Sequence, residues 1–398
     1  MDTKRVAGKG TCSVWAGEEE YLMENATQVP VVHSVSFGYK DVDQWLQVAQ
    51  GNRKGHIYSR NTNPTVEVFE NKICRLEGAA AATSAATGMG IISNTLFALL
   101  VPGQRVVSVK DTYGGTNRIF TEFLPRINIE VSLCNTTDHE DIETEIARGC
   151  DLLYLETPTN PTIKIVDLAR LARAGKKTGA TVVVDNTFAT PINQQPLSLG
   201  ADLVLHSATK FLGGHADALG GVVCGEQALV RKIYHYREIT GATLDPMSAY
   251  LLLRGMKTLA LRIERQNKNA LMIARHLDAH PKIEKVFYPG LESHDGHKIA
   301  RKQMAGFGGM LSFMLKADSF AAVGTVLANL KYAHSAANLG AVETIVGPPA
   351  TTSHVECSLE ERKAMGIPES LIRYSTGIED VSDLIQDLDN ALSRLPAA

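Results

Sequence analysis

The sequence predicts an α/β fold: a mostly parallel sheet wrapped by helices, a smaller C-terminal α/β domain, and an N-terminal arm. Three observations carry this expectation. Between about residues 65 and 240, short β-branched runs alternate with stretches of helical period, as strands joined by helical crossovers do. After Leu259 the pattern changes to long amphipathic helices with two strand-like runs, and the first 60 or so residues hold few periodic runs. A chain of 398 residues is also too long for one small core. The expected division is therefore 1–62 for the arm, 63–258 for the large domain and 259–398 for the C-terminal domain.

A helix is predicted from Thr65 to Leu76, with Pro64 just before it. In SAATGMGIISNTLFALL a small, Gly-containing turn opens an apolar helix. Strands are predicted at Arg105–Val109, Ile129–Cys134, Asp151–Leu155, Thr181–Val184 and Asp202–His206. Between them IFTEFLPR, HEDIETEIARG and VDLARLARAGKKTG have helical period, and the last ends on Lys-Lys-Thr-Gly, a C-terminal stop signal. Such crossovers bury both faces of the sheet, and ligands bind beyond the carboxyl ends of its strands. Further on, KVFYP and GGMLSFML are predicted as strands and VSDLIQDLDNALSRL as a final helix. The arm is expected to lie on another surface, such as that of a partner subunit.

Composition narrows the function classes. Hydrophobic residues make up 44% and charged residues 21%, the mix of a globular protein. The net charge is −3 and no stretch is strongly basic, so a nucleic-acid partner has no support. No apolar run has the length of a bilayer span, and the first residues lack the apolar middle of a secretion signal. A cytoplasmic location is expected, with no membrane partner. Cys12, Cys74, Cys134, Cys150, Cys224 and Cys357 form no CxxC pair and are expected to be free thiols packed as small apolar residues. The 12 histidines form no HExxH-type ligand set, and no metal site is predicted.

The residues at the strand ends carry the chemistry. The strand TVVV runs into Asp185, and a carboxylate there is costly to desolvate unless something meets it. It admits two readings: a local cap or hydrogen bond, or a partner for a protonated ring nitrogen such as a pyridine cofactor supplies. LVLH leads into Ser207-Ala208-Thr209-Lys210. A lysine after an apolar strand loses its proton readily and forms an imine with a carbonyl, while Ser207 and Thr209 offer hydroxyls to phosphate. Thr87-Gly88-Met89-Gly90 at a helix start makes an anion site from exposed N–H groups. Ser93 stands where a dinucleotide fingerprint needs its third glycine, which argues against a nicotinamide oxidoreductase. A phosphate cradle, an Asp after one strand and a Lys after a later one together describe a pyridoxal 5'-phosphate site.

Several segments then match one family. They are Ile57-Tyr58-Ser59-Arg60 with Asn63-Pro64-Thr65, Asp111-Thr112-Tyr113-Gly114-Gly115-Thr116, and Leu155 to Pro161. Asp185 to Phe188, His206 to Lys210, and Leu371 to Asp380 complete the set. From about residue 10 onward the chain resembles the Cys/Met-metabolism family of fold type I pyridoxal phosphate enzymes, whose large sheet has seven strands. The resemblance implies that Lys210 holds the cofactor as an imine and shuttles protons, and that Asp185 keeps the ring nitrogen protonated. It implies phosphate contacts from Gly88, Met89, Ser207 and Thr209, with Tyr58 and Arg60 reaching the same phosphate from a neighbouring subunit. Tyr113 would stack on the ring and move protons, Asn160 would bond the phenolic oxygen, and Arg373 would clamp the substrate carboxylate. A homo-oligomer is implied, a dimer of dimers sharing its sites between subunits.

Three departures bear on the reaction. Gly115 stands where methionine γ-lyases typically carry cysteine, Asn338 where many lyases and γ-synthases have serine, and Pro348 where the family commonly has histidine. Asn338 resembles O-acetylhomoserine sulfhydrylases and is taken as a substrate-binding residue. The Pro348 change has no explanation in the sequence. The expected reaction is γ-replacement on an O-acylhomoserine by a sulfur nucleophile. The alternative is γ-elimination of methionine or cystathionine to 2-oxobutanoate and ammonia.

Overall fold

The computed structural model describes residues 7–18, 25–353, 355, 359–364 and 366–396. Seven strands form the large sheet: β1 (Ala81–Ala85), β2 (Arg105–Val109), β3 (Glu130–Cys134), β4 (Leu152–Glu156), β5 (Thr181–Asp185), β6 (Leu203–Ser207) and β7 (Gly221–Gly225). Their spatial order is β1-β7-β6-β5-β4-β2-β3. The run from β3 through β2, β4 and β5 to β6 is parallel, and β7 is antiparallel to both neighbours. The five predicted strands are all present, within a residue at each end.

The sequence reading missed β1 and β7. Their sequences, AATSA and GVVCG, are rich in alanine and glycine, which carry little strand preference. Tertiary packing decides them: a Cβ on Gly221 would lie 2.2 Å from the Thr87 carbonyl oxygen, and one on Gly225 would lie 2.0 Å from that of Asp202. Only glycine lets β7 sit that close to the helix start and to the end of β6.

Both faces of the sheet are buried. On one, Tyr154, Val183, Leu203 and Leu205 pack with Ile91, Leu96 and Phe120. On the other, Leu153, Leu155, Val182 and Val184 pack with Ile142, Leu168 and Leu171. Each such side chain contributes roughly 1.5–3 kcal/mol by leaving water, so the strands are held rigidly and their carboxyl ends are fixed. The helix Pro64–Glu77 is capped by Asn63, whose Oδ1 accepts the Thr65 N–H at 3.0 Å. Pro64 is the first helical residue rather than the one before it, a position where its missing N–H costs nothing. The helix Leu168–Thr178 ends on Gly179 at φ 80°, where the sequence placed its stop.

The second sheet comprises β8 (Ile283–Phe287), β9 (Met310–Leu315), β10 (His334–Ser335), β11 (Ile345–Gly347) and β12 (Leu371–Ser375), in the order β10-β11-β12-β9-β8. The two predicted runs are β8 and β9. Two of the missed strands are very short, and β12 hides an arginine in its middle. The helices Leu259–Asp278 and Val381–Ser393 cover this sheet, packing Ile273, Leu277, Leu384 and Leu388 on Phe313 and Ile372.

The start of the arm lies on its own chain. From the helix Pro64–Glu77, the fully buried Lys72 ammonium reaches the carbonyls of Ser13 and Val14 at 3.0 and 3.1 Å and Glu18 at 2.7 Å. Glu18 binds Lys257 with its other oxygen at 2.6 Å. A buried ammonium needs these acceptors, and the first arm helix, Lys9–Trp15, with the turn that follows it, supplies them. Later in the arm, Val35, Val42, Trp45 and Leu46 are exposed. Cys134, Cys150 and Cys224 are buried free thiols, Cys12 and Cys74 half-buried ones, and Cys357 lies outside the described residues. Among the described residues no helix is long and apolar enough to cross a membrane.

Candidate active site

A cavity of about 280 Å³ opens at the carboxyl ends of β4, β5 and β6, bounded on the far side by Arg373 of β12 and by the segments around Leu339 and Ser353. It therefore lies between the two sheets, where ligands of open α/β folds bind.

Lys210 follows β6 by three residues and points into this cavity. Its Nζ donates to Asn338 Oδ1 at 2.7 Å. Burial, reinforced by the nearby Arg373 charge, lowers its pKa to about 8, so a useful fraction of free amine exists near neutrality. Arg373 is buried in turn. It donates from Nη1 to Asn160 Oδ1 and from Nη2 to the Asn338 carbonyl, both at 3.2 Å. These are long bonds from a guanidinium that can hold a carboxylate with two prongs.

Asp185 ends β5, and its Oδ1 accepts the Thr187 N–H at 2.9 Å. The short helix Thr190–Asn193 that follows has no side-chain cap, so the capping reading of this aspartate is not what the fold uses. Burial raises its pKa, and it takes part in no ion pair among the described residues. A carboxylate this buried, facing the cavity, is suited to hold a cationic group there.

The helix predicted to open at Thr87-Gly88-Met89-Gly90 does start there. The helix Gly88–Leu99 starts at the cavity, with the Thr87 hydroxyl accepting the Gly90 N–H at 2.9 Å. Helical geometry leaves the N–H groups of Gly88 and Met89 without partners in the helix. A Cβ on Gly88 would lie 2.7 Å from Ser207 Oγ, so glycine is required for the helix start to touch the end of β6. Ser207 is fixed through its N–H on Thr187 Oγ1 at 2.9 Å, and Thr209 Oγ1 accepts the Gly220 N–H at 3.0 Å.

Tyr113 stands half-exposed at the mouth, and its backbone N–H donates to Glu156 Oε2 at 2.8 Å. Asn160 is buried beside Arg373. Asn338 reaches the site through its bonds to Lys210 and Arg373, while its neighbours Ala337 and Leu339 form the wall. Tyr58 and Arg60 do not line the cavity of their own chain: Arg60 lies 5.2 Å over the Tyr58 ring and donates to the Glu238 carbonyl at 3.0 Å. Behind the site, Glu77 Oε1 accepts from Asn186 at 2.9 Å and faces His206 Nε2 at 2.7 Å, tying the ends of β5 and β6 to one helix.

The sequence reading missed Glu156, Thr187, Phe188 and Ser353, all of which line the cavity. Glu156 had a legible signal, since it ends the apolar strand LLYL as Asp185 ends TVVV. Thr187 and Phe188 fall within the matched segment Asp185 to Phe188 but were given no role there, and Ser353 had no signal.

A lysine amine, a buried unpaired carboxylate, a helix-start anion cradle and a buried guanidinium fit a phosphorylated pyridine aldehyde and an amino-acid substrate. The class is therefore an enzyme of pyridoxal phosphate chemistry. The family model for the Cys/Met metabolism PLP-dependent enzymes matches residues 10–393, and the chain belongs to that family. It is 42% identical to the L-methionine gamma-lyase of Fusobacterium nucleatum subsp. polymorphum over 99% of this chain and 100% of that protein. It is also 42% identical to the cystathionine gamma-lyase of Bacillus subtilis, over 91% of this chain and 95% of that one. The crystal structure of cystathionine gamma synthase from Xanthomonas oryzae pv. oryzae in complex with aminoacrylate and cysteine matches with a TM-score of 0.92 at 37% identity, covering 98% of each chain. The chain is thus a pyridoxal-phosphate-dependent transferase or carbon–sulfur lyase of methionine and cysteine metabolism.

Proposed function

We propose that this enzyme catalyses γ-replacement on an O-acylhomoserine by a sulfur nucleophile, giving cystathionine or homocysteine. The observation that carries the reading is the 2.7 Å contact of Lys210 with Asn338, at the position where the sequence resembles O-acetylhomoserine sulfhydrylases. The likeness to a cystathionine gamma synthase structure supports it. The second reading, γ-elimination of methionine or cystathionine to 2-oxobutanoate and ammonia, is supported by the 42% identity to two gamma-lyases.

When bound, pyridoxal phosphate supplies an electron sink for the carbanion at the substrate α-carbon. In this reading Lys210 would hold the cofactor through its amine, and the same amine would take a proton from the substrate α-carbon. Asp185 holds the ring nitrogen protonated. The N–H groups of Gly88 and Met89, with the hydroxyls of Ser207 and Thr209, hold the phosphate. Tyr58 and Arg60, which do not line their own cavity, serve that of a neighbouring subunit, so a dimer is the smallest active unit and two dimers form a tetramer. Tyr113 would pack against the cofactor and move protons, Asn160 would bond its phenolic oxygen, and Arg373 with Asn338 would place the substrate carboxylate. The γ-carbon loses its acyloxy group as a carboxylate, the thiol gives up its proton, and a carbon–sulfur bond forms. The enzyme works in the cytoplasm.

The test is product analysis by mass spectrometry with O-acetyl- or O-succinylhomoserine, with and without cysteine or sulfide. A new thioether or thiol amino acid formed faster than 2-oxobutanoate is expected. If 2-oxobutanoate and ammonia alone form, and methionine yields them too, elimination is the reaction.

A further inference from the structure

Two carboxyl groups end neighbouring strands at the floor of the cavity. Glu156 closes β4, Asp185 closes β5, and the two are direct partners in the parallel register. Their side chains therefore leave the same face of the sheet, side by side. Both line the cavity, and they are 5% and 7% exposed. Neither takes part in an ion pair among the described residues. Adjacent carboxylates this far from water do not both ionise, and one of them keeps a proton.

The surroundings decide which one. Glu156 faces the charge of Asp185 on β5 and, to a much smaller degree, that of Asp111 after β2. Asp111 is itself neutralised by Lys164, which reaches both its oxygens at 2.9 Å. Burial raises the Asp185 pKa too, but there hydrogen bonds from Thr187, and then the field of His206 on β6, oppose it. Burial, followed by the Asp185 charge, pushes the Glu156 carboxyl well above the usual carboxylate range. The Tyr154 hydroxyl on β4 faces both groups and is itself held protonated by burial, while Lys210 and Arg373 line the same cavity.

Glu156 also has a geometric task. It accepts the backbone N–H of Tyr113 at 2.8 Å and is approached by that of Asn160, from two different loops. Asp111 and Lys164 join the same two loops further out. We propose that Glu156 is a positioning residue that stays protonated, anchoring the backbone of Tyr113 and Asn160 while leaving the negative charge of this pair on Asp185. This rests on the reading above in which Asp185 pairs with the cofactor's ring nitrogen. A second charge on Glu156 would compete for that proton and for the space around it.

The test compares the holoenzyme with Glu156→Gln and Glu156→Leu by infrared difference spectroscopy, cofactor titration and kinetics. The carbonyl stretch of a protonated carboxylic acid should be present in the wild type and lost in Glu156→Gln. That variant keeps an accepting oxygen and no charge, so its cofactor affinity and the pH profile of kcat should match the wild type. Glu156→Leu, which accepts nothing, should lose about tenfold in kcat as the Tyr113 N–H goes unpaired, and Glu156→Gln should rescue it. The inference is overturned if the infrared band survives in Glu156→Gln, if that variant shifts the pH profile, or if it is as slow as Glu156→Leu. Absence of a lysine-linked cofactor absorbance in the wild type would instead defeat the reading of Lys210. The infrared band would still judge Glu156 in that case.

Discussion

The Lys210 ammonium nitrogen lies 2.7 Å from the side-chain oxygen of Asn338, a residue 128 positions later in the chain. One belongs to the end of the large sheet and the other to the segment just before β11, so the reactive amine is oriented across the boundary between the two sheets. Asn338 also offers its carbonyl to Arg373, which makes the lysine, the asparagine and the guanidinium one connected unit.

The first prediction concerns pH. Burial and the Arg373 charge both disfavour the ammonium form, so Lys210 is charged below about 8 and free above it. The rate at which cofactor-free protein captures pyridoxal phosphate should rise with pH and level off above about 8, where an ordinary lysine would still be rising. Arg373→Gln should move that midpoint upward. Because the folded pKa lies below the unfolded one, Lys210 costs stability at neutral pH, and the cost fades as pH rises from about 8 toward 10.5. Lys210→Met should stabilise the cofactor-free protein at pH 7 by about 2 kcal/mol while abolishing turnover. Stopped-flow absorbance and denaturant titration read the two effects.

A second concerns substrate binding. Arg373→Lys keeps the charge but loses the planar fork, and should lower kcat/KM by about a hundredfold, roughly 3 kcal/mol. The loss should appear chiefly in KM, with the cofactor absorbance retained. Steady-state kinetics over a range of amino-acid concentrations would show otherwise if kcat alone fell.

The cradle can be probed by adding one methyl group. Gly88→Ala would place a Cβ 2.7 Å from Ser207 Oγ and 2.8 Å from its Cβ. Either the helix start or the end of β6 must move, at about 1–3 kcal/mol. Cofactor affinity, measured by equilibrium absorbance titration, should weaken by about tenfold or more.

The arm offers a stability test away from the chemistry. Glu18→Gln removes the carboxylate that meets both Lys72, fully buried, and Lys257. Taking this charged partner from the buried Lys72 ammonium should cost about 3 kcal/mol, read as a lower denaturation midpoint at fixed protein concentration. An unchanged midpoint would mean that water reaches Lys72.

Local sequence carried much of the large sheet, because its central strands are β-branched, buried on both faces and separated by helices with clear period and caps. Arg105–Val109 and the run ending in Asp185 were legible for that reason. The strands AATSA and GVVCG were not, since their alanines and glycines dilute the strand preference of Thr83 and of Val222 and Val223. The second forms where close approach to Thr87 and Asp202 demands glycine, and the first pairs along it.

The site divides along the same line. Lys210, Asp185, Gly88 and Met89 sit at the ends of elements whose positions follow from local pattern and from the rule that ligands bind beyond strand ends. Their types and order along the chain, together with the family resemblance, were enough to name the cofactor. The tertiary structure alone decided that Asn338 holds the Lys210 amine, that Glu156 sits beside Asp185 and under Tyr113, and that the arm begins on its own chain. The physical reason is that each of these relationships joins residues tens to hundreds of positions apart. Hydrogen-bond partners and neighbouring charges at such separations are set by how whole elements pack, which no local run of sequence encodes.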